Sequence, residues 1–205
     1  PASAVKPEPA AKASEQSSRQ QQPAPLPDRI LGDPKAPVTL LEYASLTCIH
    51  CATLNNEVMP VIKKEYIDTG KVRYIYRDFP LDGLALKAAM LGRCLPEQRY
   101  HGFIDTLFQQ REQWLTADGD LTPLKQLAAL AGLGGKKAEA CLNDKALEEG
   151  LLLQRLHASN QLKIDATPAL LVGDTLLRGE KSVETLREVL DKALAKAGTS
   201  KSRKH

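Results

Sequence analysis

Cys48-Ile49-His50-Cys51 stands between two segments of different periodicity, and that position constrains the fold more than any other feature of the chain. Before it, Val38-Thr39-Leu40-Leu41-Glu42-Tyr43 has the apolar, β-branched character of a buried strand. After it, Cys51, Leu54, Val58, Val61, Ile62 and Tyr66 recur at helical spacing. A C-x-x-C pair at a strand-to-helix junction holds its first sulfur against unpaired backbone N–H groups and the positive end of a helix dipole. Both favour a thiolate. The pattern predicts a redox dithiol in preference to half of a metal site.

Further along, Lys71-Val72-Arg73-Tyr74-Ile75-Tyr76-Arg77 follows an Asp68-Thr69-Gly70 turn and predicts a second strand beside the first. From Leu84 to about Leu162 the spacing is helical, through Leu84, Ala88, Leu91 and Leu95, then Phe103, Ile104, Leu107 and Phe108. It continues through Leu124, Leu127, Ala128 and Ala131 to Leu147, Leu151 and Leu152, which predicts a block of four or five helical segments. Ala169-Leu170-Leu171-Val172, a Gly173-Asp174 turn and Thr175-Leu176-Leu177-Arg178 predict a hairpin. Ser182 is the expected cap of a last helix whose apolar face is Val183, Leu186, Val189, Leu190 and Leu194.

This order of elements is that of an α/β thioredoxin fold with an inserted all-helical subdomain. A right-handed crossover between the two parallel strands sets the C-x-x-C at the carboxyl end of its strand, where open α/β sheets place their sites. The expected divisions are a linker or tail over residues 1–27, and the N-terminal part of the fold with the C-x-x-C over 28–83. A helical insert over 84–162, the C-terminal part over 163–197 and a basic tail over 198–205 follow.

Composition agrees with one moderate domain: 205 residues, 42% hydrophobic and 26% charged. A net charge of +3 and 4% aromatic residues give no support to a nucleic-acid-binding surface. Residues 1–27 hold almost no large apolar side chain, so they are expected to stay disordered as a processed tail or a membrane tether. Four cysteines point to an oxidising compartment, secreted or periplasmic. The start at Pro1 is expected of a processed or trimmed chain without its targeting segment. No apolar run reaches the about 18 residues that a membrane span requires.

Two stretches carry a specific resemblance: Glu42-Tyr43-Ala44-Ser45-Leu46-Thr47-Cys48-Ile49-His50-Cys51 and Ala166-Thr167-Pro168-Ala169-Leu170. They resemble the active-site segment and the cis-proline loop of the DsbA-like thiol:disulfide oxidoreductases, within the thioredoxin superfamily. The likeness extends from about Asp28 to Ala197. Ala88-Ala89-Met90-Leu91-Gly92-Arg93-Cys94 and Ala140-Cys141-Leu142-Asn143-Asp144 resemble the insert of a subgroup with a second cysteine pair. The inner dipeptide is Ile-His where the best-known members have Pro-His.

The chemistry assigns the roles. Thiol-disulfide exchange needs an attacking thiolate and a second, resolving sulfur. Cys48, ahead of the helix, is the expected attacking sulfur and Cys51, one turn in, the buried partner. His50, as a donor or as imidazolium, is expected to favour the Cys48 thiolate further. Glu42 lies in an otherwise apolar strand, and the resemblance implies proton transfer between its carboxylate and Cys51. For Thr167 and Pro168 the resemblance implies a cis peptide bond facing Cys48, with Thr167 backbone groups free to pair with an extended substrate. Cys94 and Cys141 are either a structural disulfide or two buried thiols. His101 and His157 are expected to be surface or core histidines and not ligands, and Trp114 to pack in the core.

The resemblance implies reduced or unfolded protein substrates and a quinone-linked membrane protein resembling DsbB as reoxidant. No cofactor or metal is expected. Three alternatives stay open at this point: a reductase or isomerase on the same fold, a glutathione-using transferase or isomerase on a related fold, and a zinc module built on Cys48, Cys51, Cys94 and Cys141.

Overall fold

A computed structural model describes residues 26–202, with side chains to residue 199. The tail expected over residues 1–27 lies outside the described residues up to residue 25. Leu26 and Pro27 are part of the fold: Leu26 packs against Gly150, and the Pro27 carbonyl accepts a hydrogen bond from Arg93 Nη1 at 2.8 Å.

Five strands form one sheet in the order β1-β3-β2-β4-β5. They are β1 (Arg29–Leu31), β2 (Val38–Ala44), β3 (Val72–Asp78), β4 (Ala169–Val172) and β5 (Thr175–Arg178). β2 and β3 are parallel, and the other pairs are antiparallel. The side-chain alternation of a strand divides β2 between two cores. Leu40 and Ala44 enter the larger one with Tyr74, Tyr76, Leu170 and Val172. Tyr43 enters the smaller one with Phe79, Ala158, Ile164 and Ala169. A central strand covered on both faces accounts for the nearly unbroken apolar run around Glu42.

The segment after Cys48 is helical over residues 49–67. It runs as α1 (Ile49–Thr53), a π-helical turn (Leu54–Val58), α2 (Met59–Ile62) and a second π turn (Lys63–Ile67). The insert comprises α3 (Gly83–Cys94), α4 (Glu97–Gln109), α5 (Arg111–Trp114), α6 (Thr122–Leu130), α7 (Lys136–Leu142) and α8 (Lys145–Leu162). Six segments replace the four or five expected, because α5 and α7 are too short to show a period of their own. Asp82 caps α3 by accepting from Ala85 N at 2.8 Å. α8 also seals the smaller core through Ala158, so the insert and the sheet share packing.

The final helix, α9 (Val183–Ser202), starts as expected, with Thr185 N donating to Ser182 Oγ at 3.3 Å. It carries its backbone past Ala197, so residues 198–202 of the expected basic tail are helical. β1, which the sequence reading did not include, pairs Arg29 with Tyr76 and covers the edge of β3.

Candidate active site

β2 ends at Ala44, and the chain turns through Ser45, Leu46 and Thr47, with Cys48 N donating to Ser45 O at 3.1 Å. Cys48 is then the cap residue of α1, in extended conformation and without a side-chain cap bond. Its sulfur is half-buried, whereas Cys51 has no exposure at all. Both are free thiols.

The two sulfurs are therefore unlike. The Cys48 pKa is lowered to about 5, chiefly by a hydrogen bond from the Cys51 thiol. Partial burial opposes the shift, while the Thr167 hydroxyl and the backbone N–H groups of Cys51 and His50 add to it. At neutral pH Cys48 is a thiolate. The Cys51 thiol is pushed far up by burial, by its bond to Cys48 and by the nearby charge of Glu42.

Thr167 lies across from the pair. The Thr167–Pro168 peptide bond is cis, and the Cys48 thiol donates to Thr167 O at 3.5 Å. The Thr167 hydroxyl is buried without a hydrogen-bond partner. Once Cys48 loses its proton, that hydroxyl faces a negative sulfur to which it can donate, which is its share of the lowered pKa.

Glu42 is 1% exposed, on the β2 face that looks toward α1 and α4. Its Oε2 accepts from the Tyr74 hydroxyl at 2.7 Å, and its Oε1 is buried without a partner. Burial raises its pKa to about 7; the Tyr74 bond lowers it in part, and the charges of Cys48 and Asp105 raise it further. A carboxyl group balanced near neutrality beside a buried thiol can both give and take a proton under ordinary conditions.

The family model described as thioredoxin matches residues 26–192. Wolbachia pipientis alpha-DsbA1, a solved structure, is 38% identical, with a TM-score of 0.81 over 90% of this chain and 98% of its own. Oxidised BdbD from Bacillus subtilis is 25% identical, with a TM-score of 0.67 over 82% of this chain and 93% of its own. A Rickettsia felis protein named as a protein-disulfide oxidoreductase is 32% identical over 82% of this chain. This chain spans 60% of that relative's length.

The chain belongs to the thioredoxin family, in its DsbA-like branch.

Around the DsbA-like dithiol the structure adds residues that sequence reasoning missed. Thr47, just before Cys48, is held from two sides, by Asp82 at the cap of α3 and by Arg111 of α5. Its hydroxyl donates to Asp82 Oδ2 at 2.6 Å, and its carbonyl accepts from Arg111 Nη2 at 2.8 Å and Nε at 3.2 Å. The sequence pattern singles out neither Asp82 nor Arg111. Tyr74 was legible as a strand residue but not as the partner of Glu42.

His50 sits differently from the expectation. Its backbone N–H reaches toward the Cys48 sulfur, but its exposed imidazole turns to the loop before α9, with Nδ1 at 3.1 Å from Glu180 Oε2. The structure thus brings together Cys48, Cys51, Glu42, Thr167 and Pro168, and takes only the main chain of His50 to the sulfur.

Cys94 and Cys141 form a disulfide between α3 and α7. That removes two of the four thiols on which the zinc reading relied. Among the described residues, no three His, Cys, Asp or Glu groups come together as a metal site. No described helix is long and apolar enough to cross a membrane. Trp114 is fully buried and donates from Nε1 to Leu107 O at 2.8 Å.

Proposed function

We propose that this chain is a thiol:disulfide oxidoreductase that introduces disulfides into folding extracytoplasmic proteins, through exchange at Cys48 and Cys51. The observation that carries the reading is the asymmetry of the pair: a half-buried sulfur with a pKa near 5 beside a sealed one pushed far up. The names of the relatives support it.

In the oxidised enzyme a substrate thiolate attacks Cys48, and the electron pair of the broken bond leaves on Cys51. Cys51 takes a proton from the Glu42 carboxyl group. A second substrate thiolate then attacks the substrate sulfur of the mixed disulfide, and Cys48 departs as a thiolate. A low thiol pKa makes it a good leaving group and stabilises the reduced enzyme, which drives oxidation of the substrate. Thr167 O, at the cis-proline loop, receives the extended substrate chain next to Cys48. His50 acts through its backbone N–H. Cys94–Cys141 serves as a structural staple of the insert.

The proposed compartment is the periplasm, with a membrane protein resembling DsbB as reoxidant. An oxidising space suits both the disulfide of the insert and the direction of electron flow.

Equilibration of the dithiol with glutathione buffers, together with oxidation of fully reduced ribonuclease, tests the direction. The expected reduction potential is above about −180 mV, on the oxidising side of protein disulfide isomerase. A value near thioredoxin's, about −270 mV, overturns the oxidase reading in favour of a reductase.

A further inference from the structure

Glu42 is fixed at one end and free at the other. Tyr74 Oη donates to Oε2 at 2.7 Å inside the core, and Oε1 has no partner. Both residues are buried, and they lie on one face of neighbouring strands, since Tyr74 is in register with Leu40, two residues before Glu42. The Tyr74 ring is held in turn by the His101 imidazole of α4, with centroids 5.8 Å apart. A carboxyl group that exchanges a proton with a buried thiol needs a set direction and a set proton affinity. One phenolic O–H supplies both.

We infer that Tyr74 is a positioning residue for the proton step: its hydroxyl holds Glu42 with Oε1 toward the thiol pair and sets the pH range over which that carboxyl exchanges its proton with Cys51. The inference deepens the proposed oxidoreductase reading and rests on it. When Cys51 leaves the enzyme disulfide as a thiolate, the Glu42 carboxyl gives it a proton, and the resulting carboxylate is held by the Tyr74 O–H. On reoxidation the Cys48 thiolate attacks the disulfide of the reoxidising protein and releases one of its sulfurs as a thiolate; the Cys51 thiol returns its proton to the Glu42 carboxylate, and the Cys51 sulfur attacks Cys48 in that mixed disulfide, releasing the partner's second thiolate. The phenolic proton never transfers, in keeping with a Tyr74 pKa held well above the ordinary range by burial and by Glu42.

The groups that act on Glu42 come from three sides. Tyr74 and Tyr76 belong to β3, Cys48 and Cys51 to the start of α1, and Asp105 to α4. Tyr74 itself is faced by Glu42, Asp105, Tyr100 and His101. His101, lowered to about 4 mainly by burial, is neutral over the working range and brings no charge. Asp105 and a Cys48 thiolate both oppose ionisation of Glu42, so the Tyr74 hydroxyl is the group that favours the carboxylate.

The test compares wild type, Tyr74→Phe, Glu42→Gln and the double variant. The rate at which Cys51 resolves a mixed disulfide between Cys48 and glutathione is followed against pH. Loss of a hydrogen bond to the charged form raises a carboxyl pKa, so the Tyr74→Phe inflection is expected about one pH unit higher than wild type. The inflection should vanish in Glu42→Gln, and Tyr74→Phe should change nothing further in that background. ¹³C NMR of the Glu42 carboxyl carbon should show the same displacement without any turnover, while the thiolate absorbance of Cys48 keeps its own midpoint.

3-Fluorotyrosine at position 74 keeps the hydroxyl, adds one small atom to the ring and donates more strongly, so it is expected to fold and to move the Glu42 titration downward even if Tyr74→Phe does not fold. An unmoved Glu42 titration in both variants overturns the inference, as does a shift in rate that persists in the Glu42→Gln background. A chain without exchange activity would overturn the oxidoreductase reading instead, and the NMR titration would still decide the role of Tyr74.

Discussion

The two cysteine pairs of this chain have the same atoms and opposite surroundings. Cys48 stands ahead of the first turn of α1, where backbone N–H groups point at its sulfur. Cys94 is the last residue of α3, and Cys141 lies in the final turn of α7. A helix presents partial positive charge at its start and partial negative charge at its end. A departing electron pair is therefore welcomed on Cys48 and resisted on Cys94 or Cys141. Each pair has one half-buried and one buried cysteine, so helix polarity and not exposure is what sets the two apart. Loop length works in the same direction: a crosslink over 47 residues restricts the unfolded chain, worth about 4 kcal/mol in the chain-entropy model, while Cys48–Cys51 encloses almost nothing.

Exchanging the insults breaks this comparison most directly. Cys51→Ser is expected to abolish turnover and trap substrates as mixed disulfides on Cys48, with little loss of stability. Cys94→Ala with Cys141→Ala is expected to lower unfolding free energy by up to about 4 kcal/mol while the Cys48 thiolate titrates where it did before. Trapping on non-reducing gels, denaturant melts and thiolate absorbance read the three quantities. If loss of the insert disulfide moved the Cys48 titration by a full pH unit, the two pairs would not be independent, and the Thr47 clamp from Asp82 and Arg111 would be the route of coupling.

Much of this layout was legible because it is local. β2, β3 and the β4–β5 hairpin follow from alternation and a Gly173-Asp174 turn, and the dithiol from four adjacent residues at a change of period. β1 escaped notice because Arg29-Ile30-Leu31 is too short to alternate, and its role as an edge cover depends on β3. The contacts that shape the site span the chain: Thr47 to Asp82 across 35 positions, Thr47 to Arg111 across 64, and His50 to Glu180 across 130. No periodicity marks such pairs. Glu42 was noticed because an acid in an apolar strand breaks the pattern, whereas Tyr74, an ordinary strand residue, breaks none.

A second, smaller effect sharpens the comparison through pH. Folding lowers the pKa of Cys48 to about 5, so the reduced protein gains stability as pH rises from there toward the ordinary thiol range, and loses it on acidification through about 5. The oxidised form has no thiol to titrate. Glu42 has the opposite sign: its pKa is raised to about 7, so its contribution is complete below the ordinary carboxyl range and is lost as pH rises through about 7. The Glu42 shift comes chiefly from burial and only in smaller part from the Cys48 charge, so its effect is expected largely to cancel in the difference between the two redox forms. Thermal melts of both forms between pH 4 and pH 9 should therefore show the reduced form gaining on the oxidised one as pH rises. The double alanine variant of the insert should show the same gain, because Cys94 and Cys141 do not titrate while bonded. A flat difference would mean that Cys48 is not an acidic thiol.

The smallest expected change tests how much of the acidity of Cys48 comes from across the groove. Thr167→Val keeps the shape of the side chain and removes only the hydroxyl. That hydroxyl is buried without a partner while Cys48 carries its proton, so its loss leaves no bond broken in the thiol form. In the thiolate form it removes a donor, and the Cys48 pKa is expected to rise by about one unit or less. One unit is about 1.4 kcal/mol, which for a two-electron couple lowers the reduction potential by about 30 mV. The helix-start N–H groups and the Cys51 thiol remain, so the variant should still titrate well below an ordinary thiol. A larger rise, back to the ordinary range, would mean that Thr167 and not the helix start separates this pair from Cys94 and Cys141, and the contrast in helix polarity would lose its force.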